Sequence, residues 1–182
     1  MRRGSALDVH RRVVLEGLRP RLGRGDLAQS LAVLLGQRVP AREQLGVQLG
    51  ARYDGSPIVV ADGTPPADDL FDYKPSAVPG GRAPHVWIGE KRETGDSLFD
   101  RFGPGFTVLR LGRKAAKADG LLAAFARNGV PVKVVETDSA VARDLYERDI
   151  VVVRPDQHVA WRGNADPSDA EAVVAQMTGR RP

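Results

Sequence analysis

An α/β fold, a mixed sheet flanked by helices, is what residues 107–177 predict. Short runs of β-branched and apolar residues alternate with helical periodicities, so successive strands are joined by crossover helices. Two further strands then follow one another across a tight turn before a last helix. Gly, Pro, Asn, Asp and Ser fall at the boundaries between the elements, where caps and turns require them.

The first strand is Thr107–Leu111, and beyond Gly112 a helix carries Ala118, Leu121, Leu122 and Phe125 on one face as far as Asn128, Gly129 and Pro131, a C-cap and a stop. Val132–Val135 is the parallel neighbour of that strand. Thr137 or Asp138 then accepts from the free amides of a second helix, whose apolar face holds Val141 and Leu145. Ile150–Val153 is a continuous apolar run, expected of a central strand covered on both faces. Arg154-Pro155-Asp156-Gln157 places proline where a type I turn wants it, and His158–Trp161 returns antiparallel. Asp166-Pro167-Ser168-Asp169 supplies an N-cap and a first-turn proline for a last helix with Ala170, Val173, Val174 and Met177 on one stripe. This order of elements is that of a thioredoxin-like fold. It lacks the Cys-x-x-Cys pair, because the chain has no cysteine.

Three regions are expected. Residues 1–44 form a helical extension: Ala6–Leu18 carries Leu7, Val14 and Leu18 on one side, and Asp26 caps a second helix with Leu27, Leu31, Leu34 and Leu35 before Gly36. Residues 45–82 hold a strand over Leu45–Tyr53, a short one over Ile58–Val60, and a proline-rich, acidic connection over 62–81 that wraps the domain. Residues 83–182 are the thioredoxin-like domain. The four leucines need a cover, since each one left in water forgoes about 1.5–3 kcal/mol, so Leu27, Leu31, Leu34 and Leu35 are candidate contacts to a second copy or to a partner.

Composition narrows the chemistry. Without cysteine the 182-residue chain has no disulfide, no thiol nucleophile and no thiolate metal site, and a reducing cytoplasm is the simplest home. No apolar stretch approaches the roughly eighteen residues that span a bilayer, so neither a signal peptide nor a membrane partner is expected. The net charge is +4 and the pI about 9.7, yet the arginines crowding residues 2–24 come without interleaved aromatics, so they read as a solvated face with no nucleic-acid partner. The three histidines show no ligand spacing, and Asp68, Asp69 and Asp72 sit in a proline-rich loop, so no metal is assigned. His10 and His158 are expected to be exposed. Trp87 and Trp161 are read first as core.

Several segments, taken in order, resemble a known family. They are Ala51-Arg52-Tyr53-Asp54-Gly55-Ser56-Pro57, the run from Pro79 through Arg82 and His85 to Ile88, Ser97-Leu98-Phe99-Asp100-Arg101-Phe102-Gly103, Phe106–Arg110, and Val153-Arg154-Pro155-Asp156-Gln157-His158-Val159-Ala160-Trp161-Arg162. Together they are similar to the C-terminal region of FAD-dependent aromatic-ring hydroxylases, the phenol-hydroxylase-like and polyketide-hydroxylase-like monooxygenases, over roughly residues 45–178. The resemblance implies a thioredoxin-like domain without redox cysteines, and a complete enzyme that uses FAD and NAD(P)H to insert one oxygen atom into an aromatic ring. It also implies a flavin held elsewhere, by a strand, glycine-rich turn and helix and by a Gly-Asp motif. Neither motif is present. Gly103-Pro104-Gly105 precedes its strand and lacks a third glycine, and Gly95-Asp96 reads as the cap of a short turn, so no cofactor is assigned to this chain.

Gly112-Arg113-Lys114-Ala115 stands at the corner where a thioredoxin places its thiols, and Arg148-Asp149 stands where the cis-proline would face it, so no catalytic residue is assigned. His85 and Arg82 are candidate contacts across to the flavin or substrate domain. The structural alternative for His85 is a histidine satisfied by main chain at a strand start. The expectation is a non-catalytic C-terminal domain with a docking or dimerisation role, alone or with a flavin-domain partner. The alternative is a free-standing interaction module.

Overall fold

The structure is a computed structural model that describes residues 49–67 and 73–180. Leu27, Leu31, Leu34, Leu35 and the other expectations on residues 1–44 lie outside the described residues, as do Asp68, Asp69 and Asp72.

Four strands and three helices form the domain: β1 (Phe106–Leu111), α1 (Asp119–Arg127), β2 (Val132–Thr137), α2 (Ala140–Tyr146), β3 (Ile150–Val153), β4 (Val159–Gly163) and α3 (Ala170–Met177). The sheet order is β2-β1-β3-β4. β1 runs parallel to β2 with Val108 opposite Val134 and antiparallel to β3 with Val108 opposite Val152, and β3 pairs antiparallel with β4. This is the thioredoxin-like arrangement that the element order predicts.

Alternation along the central strands sends side chains to two cores. Phe106, Val108, Ile150, Val152 and Trp161 pack with Leu121, Phe125, Val174 and Met177 of α1 and α3. Leu109, Leu111, Val151, Val153 and Val159 pack with Ala142 and Tyr146 of α2 and with Ala77, Ala83, Val86 and Leu98. All four residues of β3 are buried, which accounts for its unbroken apolar run. β2 is an edge, and its exposed Lys133 and Glu136 discourage pairing with another sheet.

The caps are partly as expected. α1 ends with Gly129 at φ 63°, the Gly129 amide donating to the Ala126 carbonyl and the Val130 amide to the Phe125 carbonyl, a Schellman closure. For α2 the cap is Ser139, beyond both Thr137 and Asp138, and its Oγ accepts from the Ala142 amide at 3.3 Å. The apolar face also differs. Val141 is 58% exposed, whereas Ala142 and Tyr146 are buried, because the tyrosine ring fills the core and its hydroxyl reaches the Pro84 carbonyl at 2.8 Å. Leu145 is partly buried against the same core. Asp169 alone caps α3, accepting from the Ala172 amide at 2.9 Å. Asp166 instead turns across the fold to α1, where Ala118 offers no side-chain cap, and accepts from the Gly120 and Leu121 amides at 2.9 and 3.2 Å.

Among the described residues, the strands expected before residue 89 do not form. Leu49 is helical, Ile58 lies in a turn, and the 79–88 segment contributes isolated bridges: Arg52 to Gly81, Arg82 to His158 and Trp87 to Ser97. Pro57, Pro79 and Pro84 have no N–H to continue a ladder. These segments line the outer edge of β4 instead, with the Val60 amide donating to the Ala160 carbonyl and the Gly80 amide to the Val159 carbonyl. The connection thus covers an edge that would otherwise be open. At Asp62 it is fastened by Arg162, whose Nε donates to the Asp62 carboxylate at 2.6 Å while its Nη1 donates to Glu147 at 3.0 Å.

Candidate functional site

Two places can carry function. The first is the corner after β1, where Gly112 turns with φ 104° and Arg113, Lys114 and Ala115 lead away. A cleft of about 400 Å³ opens there, walled by Leu111, Arg113, Asp138, Arg143 and Asp149. Two ion pairs cross it beside Lys114: Arg113 Nε donates to Asp138 at 2.8 Å, an exposed pair that raises the Arg113 pKa, and Arg143 faces Asp149 at 3.9 Å. α1 begins only at Asp119, so the corner is not at its positive end, and no nucleophile stands there.

The second is a face built from segments far apart in sequence. At one end Tyr53, 48% exposed, lies with its ring 4.6 Å from that of His158, and the Arg154 guanidinium stands 5.9 Å from the tyrosine ring. His158 bridges to Arg82 through the main chain, so their side chains leave the same side of the pair. Arg82 donates to Gln157 Oε1 at 3.3 Å and sits 5.7 Å over the Phe99 ring. Phe99 meets Phe102 at 5.2 Å and the edge of His85 at 5.5 Å, and His85 meets Trp87 at 4.8 Å. Trp87 is 43% exposed.

Arg82 and His85, the candidates from the sequence, are therefore brought together, with Phe99 between them. His85 is exposed and held by rings, not by main chain at a strand start. Two expectations are corrected. Trp161 is core, but Trp87 stays at the surface because its single bridge to Ser97 anchors the main chain without burying the indole. His158 is only 18% exposed at its side chain because Tyr53 covers it.

Arg154 was not singled out by the sequence. Its Nη2 donates to Asp156 at 2.9 Å, but its Nη1 is buried and has no acceptor, the one such side-chain atom among the described residues. Tyr53 was missed as well. The signal for both lay in the segments that carry the resemblance, all of which except Phe106–Arg110 of β1 deliver a residue to this face. Behind it, burial raises the Tyr73 pKa, against the neighbouring Arg82 charge, and burial pushes the Tyr146 hydroxyl well above its ordinary value, with Tyr73 adding to it. Among the described residues no three His, Asp or Glu side chains gather to hold a metal, and no helix is long and apolar enough to cross a membrane.

Comparison with known proteins places these observations. Residues 76–180 match the family described as "Aromatic-ring hydroxylase, C-terminal". The "FAD-dependent monooxygenase apdD" of Emericella nidulans is 32% identical over 147 residues, 75% of this chain and 23% of that protein. The "Phenol 2-monooxygenase" of a Pseudomonas species is 29% identical over 143 residues, 71% of this chain and 24% of that protein. Among solved structures, the rebeccamycin biosynthetic enzyme RebC with reduced flavin superposes with a TM-score of 0.64 at 33% identity, covering 91% of this chain and 30% of that one. The flavin-dependent monooxygenase PieE, in complex with FAD and substrate, gives 0.60 at 30% identity, covering 91% and 31%. The chain thus spans about a quarter of the length of the curated relatives it matches.

Proposed function

From the premise that this chain belongs to the family of aromatic-ring hydroxylase C-terminal regions, we propose that it acts as a non-catalytic docking domain of an FAD-dependent aromatic monooxygenase. The parent reaction is NAD(P)H-driven insertion of one oxygen atom into an aromatic ring, with FAD and NAD(P)H bound by the rest of such an enzyme. In that chemistry the reduced flavin activates oxygen. A homodimer or a complex with a flavin-bearing chain gives Leu27, Leu31, Leu34 and Leu35 their cover.

One observation carries the non-catalytic part. A dinucleotide pyrophosphate is held by free amides at a helix N-terminus. Here the chain's own side chains occupy the helix starts, the Asp166 carboxylate accepting from two amides of α1, the Ser139 hydroxyl from one of α2 and the Asp169 carboxylate from one of α3. Two of the three are anionic and repel a phosphate. Gly105, the glycine nearest to a phosphate-loop pattern, serves a different need: a Cβ there would lie 2.5 Å from the Pro131 carbonyl oxygen. The described residues do not fit FAD.

The test is NADPH oxidation by the purified chain with added FAD and phenol. The expected rate is that of FAD in buffer. Hydroxylated phenol formed in proportion to the chain would overturn the reading.

A further inference from the structure

We propose that the cleft after β1 is a binding site for a phosphate group, inorganic phosphate or the phosphate of a small monoester, held by Arg113, Lys114 and Arg143. This goes beyond the docking reading and does not depend on it. Three cations from two separate elements gather around one hollow of about 400 Å³: Arg113 and Lys114 stand in the corner that follows β1, and Arg143 reaches it from α2. Like charges brought together repel unless counter-charge is close, and the cleft is lined by two carboxylates, Asp138 and Asp149. Each is the partner of an arginine, so one positive charge is left over, on Lys114.

The donors of the cleft are incompletely used. Arg113 meets Asp138 through Nε, and its side chain is 87% exposed. Arg143 stands 3.9 Å from Asp149, beyond hydrogen-bond reach, with its side chain 56% exposed. A phosphate group brings three strong acceptor oxygens and a charge of about −1.5 to −2 at neutral pH, so it can take donors from three side chains at once and offset the excess charge.

The backbone makes room for Arg143. Gly112 turns with φ 104°, and a Cβ there would lie 3.0 Å from Arg143 Nε and 3.2 Å from its Cδ. Glycine at the corner thus lets the guanidinium lie against the main chain beside Arg113 and Lys114, in a conformation that other residues rarely adopt. Of the lining residues, Leu111 and Ala115 alone carry apolar side chains, and both are buried. The cleft therefore takes an anionic group and has no slot for a flavin ring.

The test is a titration of the full chain, nitrogen-labelled for amide NMR, with inorganic phosphate at an ionic strength held constant with sodium chloride. The Gly112, Arg113 and Lys114 amides should shift saturably, with a dissociation constant on the order of 1 mM. Lys114→Gln and Arg143→Gln should each weaken binding about tenfold, while Lys91→Gln, which removes an exposed lysine elsewhere, should leave it unchanged. All three side chains are exposed, and unchanged melting shows that each variant is folded. Ribose 5-phosphate titrated in the same way separates the two sources: binding at least as tight as that of inorganic phosphate assigns the site to a carried phosphate, and binding about tenfold weaker assigns it to the free ion. Shifts that do not saturate by about 30 mM phosphate would overturn the site, as would shifts confined to the arginine-rich residues 2–24. So would full binding by Lys114→Gln and Arg143→Gln, or an equal loss in Lys91→Gln.

Discussion

Replacing Asp166 by alanine isolates a contact that sequence position alone assigns to the wrong helix. Its carboxylate accepts from Gly120 and Leu121 at 2.9 and 3.2 Å, joining the β4–α3 connection to the start of α1 across 45 residues, where the local cap position is an alanine. Losing an N-cap side chain costs about 0.5–2 kcal/mol, and losing the negative charge at the helix N-terminus adds about 0.3–1 kcal/mol. Asp166 is half-buried, so water replaces part of what is lost, and a net of about 2 kcal/mol is expected. With a urea m-value of about 2 kcal/mol per molar, the unfolding midpoint should fall by about 1 M at unchanged m. Asp169→Ala removes one exposed amide contact and should cost about 1 kcal/mol. Hydrogen exchange adds a local readout, in which the Gly120 and Leu121 amides lose protection in Asp166→Ala but not in Asp169→Ala. An Asp166→Ala variant within about 0.5 kcal/mol of the parent, or an Asp169→Ala variant costing more, would refute the cross-domain cap.

Tyr146→Phe leaves the buried Pro84 carbonyl without its donor and should cost about 1–3 kcal/mol at neutral pH. It should also flatten the alkaline limb of stability. Burial keeps Tyr146 protonated in the folded state while the unfolded chain ionises near pH 10, so the folded state binds more protons, and stability present below pH 10 falls above it by up to about 1.4 kcal/mol per pH unit for this group. Urea titrations between about pH 9 and 11 check the slope, and an equal slope in the variant would mean that other groups set it. Gly105→Ala drives a Cβ to 2.5 Å from the Pro131 carbonyl oxygen, where the Phe106 amide joins β1 to the start of β2. The expected loss is about 1–3 kcal/mol, seen as a lower melting temperature.

How much of this was legible in the sequence varies along the chain for physical reasons. From β1 to α3 each strand run and each helical stripe agreed with the residue that ends it, Gly129 and the Arg154–Gln157 turn among them, so local and tertiary preferences pointed the same way. Where they diverged, packing decided. Val141 has the apolar character expected of a core position, yet Tyr146 and Ala142 turn inward, because an aromatic ring with a hydroxyl partner at Pro84 buries more surface than a valine. Asp166 looked like a cap for the helix that follows it, and only the folded connection could bring it to α1. The alternation over residues 45–53 was a weak signal, because a strand needs a neighbour and, among the described residues of that stretch, the ladder amounts to one isolated bridge, Arg52 to Gly81. The candidate face was half legible. Arg82 and His85 stood in a segment that carries the resemblance, whereas the exposure of Trp87 and the orphaned Nη1 of Arg154 depend on which groups are absent around them.

The central claim, that this chain supplies a docking surface and no flavin chemistry of its own, is tested most directly by flavin binding. The purified chain is incubated with excess FAD, passed through gel filtration, and the protein peak is scanned for flavin absorbance. Helix N-termini occupied by Asp166, Ser139 and Asp169 predict a colourless peak. A yellow peak with one FAD per chain would contradict the account.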